Sequence, residues 1–400
     1  MSVYLNALGI ACALGENKKT IAGALFSDHA FDRDHSLVES DQYIQNRTVI
    51  VGALPFDLPS LDIRFSHFDC RNNRLIVHVL NEIQDEIVSA ISTYGNKRIG
   101  IVLGTSTSGI AEGGDALAAF KRDKALPENF HYAQQEIGGP SEFLAEYLNL
   151  QGPALTISTA CSSSAKVFAS GRRLLESGQC DAVIVGGVDT LCKLTLNGFS
   201  SLSAVSARYC NPFSKNRDGI NIGEGAALFL MSRSPSGIAL CGVGEASDAY
   251  HISAPHPDGI GASAAMNAAI HQAGITPLDI DYANLHGTAT AQNDAMESTA
   301  VMNVLGNKIP VSSTKGLVGH TLGAAGAIEV GFCYLTLSNI NKNEVLPLQA
   351  WDGEPDDNTQ QLRFVQKGDV LNRKKSRHYC LSNSFAFGGS NVSVVIGSVK

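Results

Sequence analysis

The chain reads as an α/β protein built from two related halves, and three observations carry that reading. Short β-branched apolar runs alternate with longer stretches whose apolar residues recur at helical spacing. Glycine is abundant, at 39 residues against a single tryptophan, which suits a tightly packed protein with many strand-to-helix turns. A strand end opening into Gly-Thr-x-Thr also occurs twice. Residues 98–103 lead into Gly104-Thr105-Ser106-Thr107, and residues 282–285 lead into His286-Gly287-Thr288-Ala289-Thr290.

In chain order the strand-like runs are residues 3–9, 98–103, 154–159, 182–186, 226–231, 238–244, 282–285 and 392–396. Helical periodicity marks 75–93, 141–148, 162–177, 261–272, 295–305 and 324–337. Run after run of this kind is the pattern of an α/β sheet protein. The segment SRSPSG at 232–237 divides the chain into an N-terminal half, 1–235, and a C-terminal half, 236–400, while GEPDDNT at 353–359 reads as a surface loop. A second match supports the duplication: TISTACSSS in the first half answers VSSTKGLVGH in the second, again strand, Ser-Thr turn and small-residue helix. Two matches in the same order bring equivalent strand ends toward one site.

Composition narrows the class. At 400 residues with 44% hydrophobic and 17% charged side chains, the chain buries one large core or two moderate ones. A net charge of −8 argues against a nucleic-acid binder but allows a local basic patch for an acidic partner. The nine cysteines are odd in number, scattered and free of C-x-x-C pairs, so they read as reduced thiols and neither a disulfide framework nor a metal site is expected. With no signal-peptide pattern at the start and no apolar run of about 18 residues, a soluble cytoplasmic protein is expected.

Cys161 is the most suggestive side chain. It lies where the strand-like 154–159 gives way to the helical 162–177, and the free N–H groups and positive dipole end of a helix favour a thiolate. His286 closes a strand and opens the polar turn HGTATAQND, and His320 stands between glycine-rich stretches in STKGLVGHTLGAAGAIE. Lys315 and Glu329 flank His320 among Gly, Ala, Leu and Val; a cation there keeps imidazole neutral and a carboxylate holds the cation. The C-terminal NSFAFGGSN carries Phe385, Ala386 and Phe387 ahead of two glycines, a loop suited to act as a lid or to offer a backbone N–H to an oxyanion.

The set TACSSS, HGTATAQND, STKGLVGHTLGAAGAIE and NSFAFGGSN, in that order, resembles the β-ketoacyl-acyl carrier protein synthases of the Cys-His-His type. NPFSKNRDGINIGEGAA and SDAYHISAPHPDG add to the likeness, which runs from about residue 98 to the C-terminus. The resemblance implies a thiolase-like fold of two similar halves in α-β-α-β-α layers. It implies that Cys161 takes an acyl group from acyl carrier protein and that His286 and His320 bind the thioester carbonyl of a malonyl-type extender as it loses carbon dioxide. It gives the N–H groups of Cys161 and Phe387 as the oxyanion hole, Lys315 and Glu329 as the electrostatic support, and Thr288 and Thr290 as contacts for the phosphopantetheine arm. No cofactor of the enzyme is implied, since the substrates arrive on the carrier's phosphopantetheine.

The implied function is fatty-acid elongation, with a ketosynthase subunit of a type II polyketide or aryl-polyene pathway as the alternative. The implied assembly is a homodimer or a heterodimer with a chain-length-factor subunit. A non-catalytic chain-length factor usually lacks the nucleophile that is present here, and a thiolase uses a second cysteine that SFAFGG lacks. Ala386 departs from the family's usual glycine; if the position needs positive φ, alanine costs about 1 kcal/mol and stiffens the loop. Arg71, Arg74, Lys121, Arg122, Lys124 and Arg208 are the candidate carrier-docking cations.

Overall fold

The computed structural model describes residues 2–27, 36–372 and 375–399. Its strands are β1 (Val3–Cys12), β2 (Val38–Ile44), β3 (Arg47–Gly52), β4 (Ile99–Gly104), β5 (Ala154–Ile157), β6 (Ala182–Asp189), β7 (Ile222–Gly223), β8 (Gly225–Ser232), β9 (Ile238–Ser247), β10 (Ile280–Asn284), β11 (Pro310–Ser312), β12 (Arg363–Phe364), β13 (Tyr379–Phe385) and β14 (Ser390–Ser398). The α-helices are α1 (Lys18–Leu25), α2 (Arg71–Asn81), α3 (Gln84–Tyr94), α4 (Ile110–Asp123), α5 (Gly139–Tyr147), α6 (Ser163–Glu176), α7 (Lys193–Ser201), α8 (Ile260–Ala273), α9 (Ala291–Leu305), α10 (Lys315–Val318) and α11 (Ala325–Leu337).

The sheet order states the duplication. In the N-terminal half the strands run β1-β8-β6-β4-β5, and in the C-terminal half β9-β14-β13-β10-β11, with β12 added at the far edge. Both sets pair antiparallel, antiparallel, parallel, parallel, so β4 corresponds to β10 and β5 to β11. These are the strands on which the two repeated turn motifs sit. Among the described residues the halves join as a ladder where Val3 and Tyr4 of β1 meet Leu240 and Ala239 of β9.

Helices α6 and α11 pack against each other and against strands of both sets, while α2 and α5 cover the outer face of the first set and α8, backed by α9, the outer face of the second. The result is five layers, α-β-α-β-α. The layer order explains the near-continuous apolar runs of β4, β6 and β8: strands covered on both faces have little polar side to show. The inner core gathers Phe168, Phe229, Ile328 and Phe332 between the sets, and separate outer cores form under α2 with α5 and under α8 with α9. Among the described residues no helix is long and apolar enough to cross a membrane.

One expectation is corrected. The helix expected over 75–93 is broken between Asn81 and Gln84, because the Glu82 carboxylate turns away to accept the N–H groups of Ile10 (3.1 Å) and Lys18 (2.8 Å) while Ile83 is fully buried. The segment 353–359 is a largely exposed loop, as expected, and it is anchored at one buried residue. Asp356 pairs with Arg217 at 2.5 Å, and Pro355 bridges to Ser214. The small sheet β2-β3-β7 and helices α1, α4 and α7 carried no pattern strong enough to read.

Glu224, 1% exposed, ties the edge of that small sheet to the core: it accepts from Arg71 (2.6 and 2.8 Å) and from the N–H groups of Leu54 and Leu191. Glu224→Ala strands a guanidinium and two buried N–H groups, so chemical denaturation is expected to show a loss of about 3 kcal/mol. A loss below about 1 kcal/mol would mean that solvent replaces the carboxylate.

Candidate active site

The two turn motifs and the two helices of the central layer meet at one place. Cys161 sits between β5 and α6, just ahead of the first helical residue, and is 6% exposed. The bend that presents it requires Ala160 at φ +51°, a left-handed conformation that costs a non-glycine residue about 1 kcal/mol or more. Local hydrogen bonds hold it there: Ser163 Oγ donates to Ala160 O (2.6 Å), Thr159 N to Ser163 Oγ (2.9 Å), and Ser106 Oγ to Ala160 O (3.2 Å).

His286 stands just past the end of β10 and His320 just past α10, both 2% exposed. Nε2 of His320 lies 2.9 Å from Cys161 Sγ, and the two imidazoles meet edge to face with centroids 5.5 Å apart. Beneath them Lys315 Nζ contacts Glu329 Oε1 and approaches His286 Nδ1 at 3.4 Å. Lys315 and Glu329 are 1% and 2% exposed, so the pair is shielded from solvent screening.

Burial, then the Lys315 charge, hold both histidines well below the usual imidazole range, and each is neutral at pH 7. Burial also raises Glu329 to about 7 against the opposing pull of Lys315. For Cys161 the direction is the reverse of the helix-end thiolate expectation. Burial pushes the thiol up to about 11, although Lys315 and the N–H groups of Phe387 and Cys161 pull it down. A buried thiolate is too costly for one helix end to offset, so the sulfur needs a base, and His320 is the group within reach.

An ammonium has only protons to offer, so Lys315 at Nδ1 of His286 fixes the tautomer that carries its proton on Nε2. Sγ of Cys161 and one ring nitrogen from each histidine lie within 4.8 Å of one another, a spacing that a soft metal ion tolerates. The fixed tautomer makes His286 a donor to the cavity and not a ligand.

The cavity above the three residues measures ≈ 480 Å³ and is lined in part by Phe199, Thr288, Thr290, Ala386 and Phe387. The Thr288 and Thr290 hydroxyls are 2.9 Å apart. Phe387, 37% exposed, packs on Phe199 at the mouth, whereas Phe385 ends β13, is buried, and turns its ring edge to His286. Phe385 is therefore a wall of the site, and the loop starts after it. Ala386 has φ −101°, so the strain expected of alanine there does not arise; the positive angles fall on Gly388 and Gly389.

The docking candidates are largely engaged within the chain. Arg71 is bound to Glu224, Arg74 to Asp69, Arg122 to Asp123 and Arg208 to Asp218, and Lys124 bonds the Lys121 carbonyl. Four of the six already have an intramolecular carboxylate.

Sequence reading missed the carboxylates that hold the turns. Glu297 accepts the N–H groups of His286 and Gly287 (2.7 Å each), and Asp294 accepts those of Phe213 (2.7 Å) and Thr288 (3.1 Å). Asp294 belongs to HGTATAQND, and Glu297 follows three residues later on the same helix face, a spacing visible in the sequence. Asp189 performs the equivalent task in the first half, accepting the N–H groups of Ser106 and Thr107. Its signal was a charged residue ending an otherwise apolar strand.

Comparison with known proteins agrees with this architecture. The N-terminal domain model of the β-ketoacyl synthases matches residues 60–236 and the C-terminal domain model residues 238–347. The 3-oxoacyl-[acyl-carrier-protein] synthase 2 of Rhizobium meliloti is 35% identical over 266 residues, 62% of this chain and 61% of that one, so the chain spans less than two thirds of this relative. The chloroplastic 3-oxoacyl-[acyl-carrier-protein] synthase I of Hordeum vulgare is 32% identical over 76% of this chain and 68% of its own. Among solved structures, the ketosynthase ApeO of Xenorhabdus doucetiae, in complex with its chain length factor ApeC, is 42% identical with a TM-score of 0.93, covering 100% of this chain and 98% of that one. Fold and relatives define a chain with the thiolase-like fold of the ketosynthases. The chain belongs to the β-ketoacyl synthase family.

Two variants test the electrostatics and the loop. Lys315→Met leaves Glu329 buried and unpaired, with an expected loss of about 3–5 kcal/mol in denaturant unfolding at pH 8. Because the folded state then holds a proton that the unfolded carboxylate releases, the loss grows as pH rises through the 5–8 range. Lys315→Met with Glu329→Gln should recover most of it, and equal losses in both variants would show that the charge is not the cause. Ala386→Gly removes a methyl from the cavity wall without relieving strain. It should lower stability by up to about 1 kcal/mol and widen the range of acyl lengths that load, read by competitive acylation; an unchanged length profile would show that the methyl does not touch the acyl chain.

Proposed function

We propose that this chain catalyses the decarboxylative condensation of an acyl group carried on Cys161 with a malonyl group on acyl carrier protein, giving a 3-oxoacyl thioester. The observation that carries the proposal is the convergence of Cys161 Sγ, a histidine at hydrogen-bond distance and a histidine with a fixed donor tautomer at the floor of one cavity.

In the first half-reaction the Cys161 sulfur attacks the acyl thioester as His320 Nε2 takes the thiol proton. The tetrahedral oxyanion sits between the N–H groups of Cys161 and Phe387, neither of which is spent on a backbone carbonyl among the described residues. Collapse expels the carrier thiolate, which receives the proton from His320. In the second half-reaction the extender carboxylate leaves as carbon dioxide, and its electron pair becomes an enolate whose oxygen accepts from His286 Nε2–H. The enolate carbon attacks the acyl-cysteine, the same two N–H groups hold the second oxyanion, and Cys161 departs as a thiolate that takes up one proton from solvent. Neutral imidazoles suit the enolate step, because a positive imidazolium would hold the carboxylate in place as firmly as the enolate.

For the setting, the full-length likeness to a ketosynthase that works with a chain length factor supports the reading of a ketosynthase subunit in a type II polyketide or aryl-polyene pathway, paired with a chain-length-factor subunit and served by acyl carrier protein. Fatty-acid elongation is the second reading, favoured by the curated 3-oxoacyl synthase relatives.

Intact-mass analysis after incubation with an acyl-carrier thioester, with and without the partner subunit, should show one acyl mass on the chain that Cys161→Ala abolishes. No adduct under either condition would overturn the assignment. The alkylation rate of Cys161 by iodoacetamide should keep climbing with pH beyond about pH 9, since the thiol ionises near 11. A plateau near pH 7 would mean a preformed thiolate and no need for His320 as base.

A further inference from the structure

We infer that Asp189 is the positioning residue that sets the Cys161 bend and the His320 loop in register, so that the thiol meets its base. This rests on the reading of Cys161 as nucleophile given above. Asp189 ends β6, takes no part in lining the cavity, and is fully buried. Hydroxyls and N–H groups from both halves of the molecule converge on its two oxygens. From the turn after β4 come Thr105 Oγ1 (2.6 Å), Ser106 N (2.9 Å), Thr107 N (2.8 Å) and Thr107 Oγ1 (2.7 Å), and from the turn after His320 comes Ala324 N (3.2 Å). All are donors, so the site requires an acceptor-only carboxylate.

Each turn leads to one member of the reacting pair. Ser106, whose N–H is held by Asp189, donates its own hydroxyl to Ala160 O, on the residue that must stand at φ +51° for Cys161 to point inward. On the other side Leu322, two residues past His320, stands at φ +53°, and Gly323 packs so closely that a Cβ there would lie 2.7 Å from Asp189 Oδ2 and 2.6 Å from Ser106 Oγ. Non-glycine residues keep left-handed angles only where their surroundings fix them. Here both angles, one on each side of the Sγ–Nε2 contact, trace back to the same carboxylate. The turn that carries His286 is held separately by Glu297 and Asp294.

The test is the iodoacetamide alkylation rate of Cys161, scored per folded molecule by intact mass at pH 7.5. Misplacing a reacting pair by about 1 Å costs up to a hundredfold, so Asp189→Asn is expected to slow alkylation about tenfold and to move its pH profile upward as His320 loses contact with the thiol. A purely electrostatic role predicts the opposite sign, because the Asp189 charge itself helps to raise the thiol, and its removal alone would speed alkylation. Ser106→Ala, which keeps the Asp189 contacts and removes only the link to Ala160, should slow alkylation by a smaller factor without lowering the melting temperature. This second variant decides the matter if Asp189→Asn fails to fold. Asp281→Asn, a buried carboxylate at the opposite end of β10 beside Lys375 and His378, serves as a control for general destabilisation. Rates unchanged or faster in both test variants, or a slowing matched by Asp281→Asn, would overturn the inference. Acyl loading of the unaltered chain is measured in parallel from a carrier thioester. Failure there refutes the nucleophile reading and leaves the register result standing by itself.

Discussion

The close contact of α6 with α11 is the constraint on which the rest depends. Gly326 lies so near Ala165 that a Cβ on it would come within 2.7 Å of the Ala165 nitrogen, and Ser164 Oγ accepts the N–H of Ala327 at 2.8 Å. Only small residues allow two helices to share one layer between two strand sets at that distance. Cys161 precedes α6 and His320 precedes α11, so the packing of these helix starts is what brings a thiol and an imidazole separated by 159 residues to hydrogen-bond distance. Larger side chains at the seam would push the strand sets apart and the reacting pair with them.

Placing the chemistry at the centre of a five-layer molecule sets its electrostatics. Desolvation is the largest influence on five groups of the site: it raises Cys161, Glu297 and Glu329 and lowers both histidines. The buried ammonium of Lys315 acts on all five. Its counter-ion keeps the charge in place, and its protons decide which nitrogen of His286 faces the cavity. Neutral groups in a dry pocket are economical only because the donors are fixed in advance and need no solvent to orient them.

Most of this was legible in the sequence where local pattern and site coincide. The strand-turn-helix around Cys161, the strand end at His286 and the apolar setting of Lys315 and Glu329 all stand where spacing put them, and the two turn repeats lie on equivalent strands. What escaped depends on partners distant in sequence. The break at Glu82 arises from N–H groups some 64 and 72 residues away, and the Arg217–Asp356 pair closes over 139 residues. The thiol's upward shift escaped for a similar reason: a helix N-terminus is visible locally, but the depth at which it lies is a property of all five layers. Ala386 shows the reverse error. A backbone angle inferred from residue identity fails when the positive angles belong to the next two glycines.

The duplicated turns have one more consequence. After β4 and after β10 the chain forms the same kind of loop, with successive N–H groups aimed inward, a geometry that in many proteins captures phosphate or carboxylate from solution. Here both loops are occupied from within, one by Asp189 and the other by Glu297. The donors of these two loops are therefore spent inside the protein, away from the cavity wall. What a substrate meets is a different set of groups, among them His286, Thr288, Thr290 and Arg217, so the bracing that shapes the site is kept apart from the side chains that face an incoming molecule.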